Sequence, residues 1–185
     1  MNRITLTKIH LMLAAFMFPV ALMFLITGAL YIWEIKGTTE ATDYNITLSS
    51  PLEENDAALK AIVEKELQRL NIAVPTGTSK AKSTPKAIQY DWTGSKRDIH
   101  LEAPINSLEA KLTIKEGTWY RNFVQLHKAK GGLLFKIYAT GLAIALFLLL
   151  ASGFLMAWMV PKYRQLTAIT ASSGLLIFII LFFIS

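Results

Sequence analysis

The chain has 185 residues, a formal net charge of +6, 53% hydrophobic residues and no cysteine. That length suits one or two small domains, and the missing cysteine excludes disulfides, thiolate metal sites and iron–sulfur clusters built by this chain alone. The apolar excess falls in three blocks with an ordinary polar segment between the first and second, and bases and acids nearly balance from Lys36 to Lys130, which excludes a nucleic-acid-binding stripe.

Residues 1–10 carry Arg3 and Lys8, and the uncharged run Leu11 to Trp33 follows. A run this long exceeds the roughly 20 apolar residues that cross about 30 Å of hydrocarbon. It is also longer than a signal-peptide core, and Tyr31-Ile32-Trp33-Glu34 lacks small-residue cleavage chemistry. The first block is therefore expected to be an uncleaved transmembrane helix. Pro19 removes one backbone hydrogen bond from it, which marks a kink or a packing notch. The second run, Ile137 to Val160, is equally uncharged, and the third, Leu166 to Ser185, is just long enough to span. Short basic segments face the cytoplasm. Arg3 and Lys8 before the first helix, with Lys162 and Arg164 between the second and third, thus put the amino terminus inside and residues 36–130 outside.

The outer segment begins with a polar stretch, Gly37 to Ser50. Asn55 or Asp56 then caps a helix whose Leu59, Ile62, Val63, Leu67 and Leu70 recur at helical spacing, and Asn71 and Pro75 close it. Thr76 to Lys86 reads as a loop. Alternation in Ala87 to Trp92 and in Asp98 to Glu102, about a turn at Gly94, predicts a hairpin. Glu109 to Ile114 is a third strand, and Thr118 to Val124 a fourth extended candidate. The expected fold is an integral membrane protein, α-helical with three transmembrane helices, carrying a small α+β domain whose helix covers one sheet face. The divisions are 1–35, cytoplasmic start and first helix; 36–130, the outer domain; 131–160, second helix; and 161–185, short cytoplasmic loop and third helix.

The first two spans share a template. Thr27-Gly28-Ala29-Leu30-Tyr31-Ile32-Trp33 and Ser152-Gly153-Phe154-Leu155-Met156-Ala157-Trp158 both read [Ser/Thr]-Gly-x-Leu-x-x-Trp, with His10 and His127 upstream of the respective spans. These features, with Leu126-His127 and a Tyr-x-Trp hairpin at Tyr90 and Trp92, resemble the PepSY-associated transmembrane family, over roughly residues 5–160. The chain would be a small three-helix member with a PepSY-like domain at 36–130. The resemblance implies a bacterial inner-membrane protein tied to redox or iron uptake, with b-type haem on membrane histidines in some relatives. The resulting expectation is an auxiliary docking subunit. A haem b electron carrier reducing a periplasmic ferric siderophore, as a ferric reductase-like oxidoreductase, is the first alternative, and a regulator of periplasmic proteolysis the second. The expected partners are the lipid bilayer and another membrane subunit or a second copy of the chain; nucleic acid is not among them.

The two templates run in opposite directions, so His10 is expected to face Gly153, and His127 to face Gly28. Along a helix rising 1.5 Å per residue the two histidines stand about 30 Å apart and cannot share one iron. Two readings remain open. Glycine could make room for a macrocycle, with His10 or His127 as axial ligand and Met12, Met156, Met159 or another subunit as the second. It could equally let helices approach closely, with Trp33, Trp158, Tyr31 and Tyr163 as interface anchors. His100 is expected at a surface or half-buried strand position. The run Gln125 to Lys136, with its lysines, reads as an outer-surface anchor.

Overall fold

The computed structural model describes residues 2–185. Among the described residues three helices are long and apolar enough to cross a bilayer: α1 (Arg3–Ile32), α4 (Gly132–Trp158) and α5 (Pro161–Ile184). Between α1 and α4 lie β1 (Thr39–Thr47), α2 (Asp56–Arg69), β2 (Ser79–Ser83), β3 (Ala87–Thr93), β4 (Arg97–Pro104), β5 (Glu109–Gly117) and α3 (Trp119–His127). The chain divides into two units. The helical unit joins the chain up to Ala21 to Thr140–Ser185, and the second unit is Leu22–Ala139.

In the helical unit the backbone of α1 runs unbroken through Pro19. No residue of α5 is buried, and all but the half-buried Thr167 and Ala168 are exposed. This is the behaviour expected of a helix solvated by lipid.

The second unit holds one five-stranded antiparallel sheet in the order β1-β5-β4-β3-β2. Side chains alternate across a strand. Ile88, Tyr90 and Trp92 of β3, Ile99, Leu101 and Ala103 of β4, and Ala110, Leu112 and Ile114 of β5 therefore form one apolar face. Helix α2 closes that face with Leu59, Val63 and Leu67, all essentially inaccessible, while Ile62 and Leu70 pack at the margin. Each such aliphatic side chain contributes about 1.5–3 kcal/mol on burial. Asn55 caps α2 by accepting from the amides of Ala57 and Ala58. Asn71, at φ 55°, ends it, with the Ile72 amide returning to the Leu67 carbonyl. That left-handed position suits asparagine better than most residues.

Three expectations need correction. The polar stretch after Gly37 contains the edge strand β1, and the predicted loop at 76–86 contains the edge strand β2. Their inward positions carry few large apolar residues, so neither shows a clean alternation; Lys80 and Lys82 of β2 instead present charge, a common guard on a sheet edge. Thr118–Val124 is not a strand but the start of α3. Thr118 caps it by accepting from the Arg121 amide, and its half-buried or buried residues recur at helical spacing.

Candidate functional site

The structure resolves His10 and His127 into two similar clasps, one in each unit. In the helical unit, His10 Nδ1 lies 2.8 Å from the Ser152 hydroxyl. That hydroxyl donates its own proton to the Leu149 carbonyl, 3.1 Å away on the same helix. A serine hydroxyl has one proton to give, so Nδ1–H of the imidazole is the donor and Nε2 carries the lone pair when the ring is neutral. A Cβ placed on Gly153 would stand 3.8 Å from His10 Cε1, so the ring rests on the glycine. One turn before His10, the Thr7 hydroxyl donates to the Arg3 carbonyl at 3.0 Å and its oxygen stands 3.3 Å from the Met156 sulfur.

In the second unit the same pattern recurs. His127 Nδ1 lies 2.9 Å from the Thr27 hydroxyl, which donates to the Met23 carbonyl at 2.6 Å. The imidazole is again the donor through Nδ1. A Cβ on Gly28 would stand 3.2 Å from Cε1 and 4.0 Å from Nε2 of His127, a closer fit than at Gly153. The Phe24 ring packs against the imidazole at a tilt of 33°, with centroids 4.7 Å apart. A groove of about 380 Å³ beside the ring is lined by Thr27, Gly28, Tyr31, Val124, His127 and Lys128. Each hydroxyl-glycine pair thus supplies an acceptor and a flat surface for one histidine from another helix.

Helix α3 carries this clasp and also holds the sheet. Arg121 donates to Asp98 of β4 at 2.5 Å, each side chain only 19% exposed. The buried Gln125 carboxamide accepts from the same guanidinium. The Lys130 ammonium stands 3.9 Å from Asp98, and its backbone carbonyl accepts from the Thr76 hydroxyl. Burial pushes the Lys130 ammonium below the usual lysine range, although Asp98 pulls the other way. The Tyr120 hydroxyl donates to the carbonyl of Ile35, just past α1. Gly37, at φ 77°, passes so close to Arg121 that a Cβ would stand 2.8 Å from its backbone nitrogen.

Asp98 lies on the sheet face opposite α2, and α3 occupies only that end. Along the rest of this face run Lys80, Asp91, His100, Thr113 and Asp43 in register, then Lys82, Gln89, Glu102, Lys111 and Asn45. Asp91 pairs with His100 at 2.7 Å, Gln89 donates to Glu102 at 3.1 Å, and Lys111 pairs with Asp43 at 2.9 Å. Lys111 and Thr113 together hold the Asp43 carboxyl below its usual range. His100 therefore sits half-buried on a polar face, as the alternation implied. At the far end a groove of about 440 Å³ opens between β1, β4 and β5.

The family model for the PepSY-associated TM region matches residues 1–160. The chain belongs to the PepSY-associated TM family. It is a membrane protein with a small sheet domain between its first two apolar helices. No curated protein and no solved structure matches it.

Haem is the group the family resemblance implies, and the clasps test whether these residues suit it. Each histidine is prepared as an axial ligand would be, with Nδ1–H held by an acceptor. The rest does not fit. Each imidazole itself covers the glycine along which a macrocycle would lie, and at Gly28 the helix approaches Nε2 as well. The Met156 sulfur is turned to Thr7, and Met12 and Met159 are exposed. Close helix contact is the reading Gly28 supports, since an added Cβ would stand 3.2 Å from the His127 ring, whereas Gly153 leaves ordinary contact room.

Sequence reasoning anticipated that each histidine faces a glycine. It missed that the residue before each glycine is the hydrogen-bond acceptor, although the shared [Ser/Thr]-Gly pair carried that signal. It also missed Asp98 and Arg121, which no local pattern joins.

Proposed function

We propose that the chain is an auxiliary docking subunit of a larger bacterial inner-membrane assembly, of the redox or iron-uptake kind that the family resemblance implies. The observation that carries this reading is the polar sheet face. It offers charged and amide side chains from all five strands, while α2 closes the opposite face and α3 claims only the Asp98 end. Polar surfaces of this type give specificity and partner steering more than raw affinity.

The basic residues Arg3, Lys8, Lys162 and Arg164 support an amino terminus in the cytoplasm and residues 36–130 in the periplasm. The largely exposed α5 leaves a side for a neighbouring membrane subunit or for lipid. The interhelical clasps serve the docking role mechanically: His127 links α3 to α1, and Arg121 links α3 to the sheet, so the sheet is held firmly against the end of α1.

Affinity purification of tagged chain from native membranes in mild detergent tests the reading. A stoichiometric membrane partner is expected, and the paired substitutions Lys111→Glu and Glu102→Lys on the polar face should release it. Isolation of the chain alone, or with a partner indifferent to these substitutions, would count against docking through this face.

A further inference from the structure

Helix α3 has a second side that the clasps and the sheet do not use. Its inward residues are Tyr120, Arg121, Val124, Gln125 and His127, each with a partner described above or buried. Trp119 and Phe123, one turn apart, point away from the protein with exposures of 76% and 40%. Their rings meet edge to face at 6.1 Å, forming one apolar ridge. We infer that α3 is an interfacial helix whose Trp119 and Phe123 side chains lie in the bilayer leaflet next to the sheet domain.

The surroundings commit this ridge to lipid. The carboxyl end of α3 is tied at Thr27 and Gly28 to the last turns of a membrane-spanning helix. Only Lys128, Ala129, Lys130 and Gly131 separate α3 from α4, another membrane-spanning helix. The neighbouring chain carries exposed apolar side chains as well, Ile32 and Trp33 at the α1 end and Leu133 and Leu134 at the start of α4. Charge agrees with this placement. Lys36 and Lys128 both converge on the Tyr31 ring, at 5.2 and 5.7 Å, which gathers two ammonium groups beside an aromatic side chain at the end of α1. Aromatic residues on one side with lysines at the margin are the composition of helices that lie in the headgroup region.

The absence of cysteine makes the test direct. Full-length Trp119→Cys and Phe123→Cys carry a nitroxide and are reconstituted in phosphatidylcholine–phosphatidylglycerol vesicles. Relaxation by oxygen, which partitions into lipid, is compared with relaxation by a water-soluble nickel chelate. Labels at 119 and 123 are expected to favour oxygen, as a Leu134→Cys label does, whereas Lys111→Cys on the sheet favours nickel. Nickel preference at 119 and 123 would overturn the inference, and so would screening from both reagents, which means that protein covers the ridge. Trp119→Phe provides an independent measurement without a label. Quenching of tryptophan emission by brominated-chain lipid should fall in this variant, and an unchanged quenching would also overturn it.

Discussion

Replacing Asp98 by asparagine removes one negative charge and leaves two positive ones beside it. Arg121 stands at 2.5 Å and Lys130 at 3.9 Å, and the Gly94 amide also donates to this carboxylate at 3.1 Å. Removing one partner of a buried ion pair costs about 3–5 kcal/mol, whereas an exposed pair contributes about 0.2–1 kcal/mol. Asp98 and Arg121 are each 19% exposed, nearer the buried limit. The expected cost of Asp98→Asn is therefore about 2–3 kcal/mol, discounted from the buried value. Glu116 supplies the internal comparison, since it pairs with Arg97 at 3.1 Å but is 59% exposed. Glu116→Gln should cost less than about 1 kcal/mol.

Thermal unfolding of the full chain in detergent, followed by near-ultraviolet circular dichroism, reads both, with Trp92 in the core as a reporter. At about 4–8 °C per kcal/mol for a small domain, Asp98→Asn should lower Tm by about 10 °C or more. Arg121→Met should cost a similar amount, because it leaves the Asp98 carboxylate only the Gly94 amide and the more distant Lys130. The double variant should cost about 1.5–2 kcal/mol less than the sum, since neither charge is then left alone. Additive effects, or an Asp98→Asn shift no larger than that of Glu116→Gln, would refute the claim that this pair fastens α3 to the sheet.

The two glycines should respond differently to alanine. Gly153→Ala meets nothing closer than 3.8 Å and should gain up to about 1 kcal/mol of helix propensity. Gly28→Ala presses on His127 at 3.2 Å, so the gain is offset by a weakened interhelical hydrogen bond of about 0.6–2 kcal/mol; equal effects on detergent stability would contradict the clasp geometry. Lys130 titrates low because it is buried. Between its folded value and the ordinary lysine value of about 10.4, the unfolded chain holds more protons, so stability should rise with pH there. Lys130→Met should remove that rise from the unfolding midpoints, and an unaltered pH profile would count against it. Purified protein should show no Soret band, with or without His10→Ala and His127→Ala; a band lost on either substitution would restore the haem reading.

Much of the fold was legible because hydrophobic burial writes a period into the sequence. The spans declare themselves by uninterrupted apolar length, α2 by its Leu59-Val63-Leu67 stripe, and the β3–β4 hairpin by alternation about Gly94. The edge strands β1 and β2 hid because each has few large apolar residues facing the core. Helix α3 hid for a different reason. Its Trp119, Tyr120, Phe123 and Val124 are residues that also favour strands, and the short segment is helical through a threonine cap and contacts on two sides. The clasps were half legible, since a repeated Gly paired with an upstream histidine pointed to facing positions. The acceptor role of Ser152 and Thr27 depends on where their single hydroxyl protons go, and only the helix carbonyls at Leu149 and Met23 decide that.

The docking reading is tested most directly by site-specific photocrosslinking in intact cells. A photoreactive residue at Lys82, His100 or Lys111, on the polar sheet face, should each yield a crosslink to the same membrane protein. The same residue at Lys65, on the outer side of α2, should not. Crosslinks absent from all three face positions, or equally strong from Lys65, would contradict the assignment of that face to a partner.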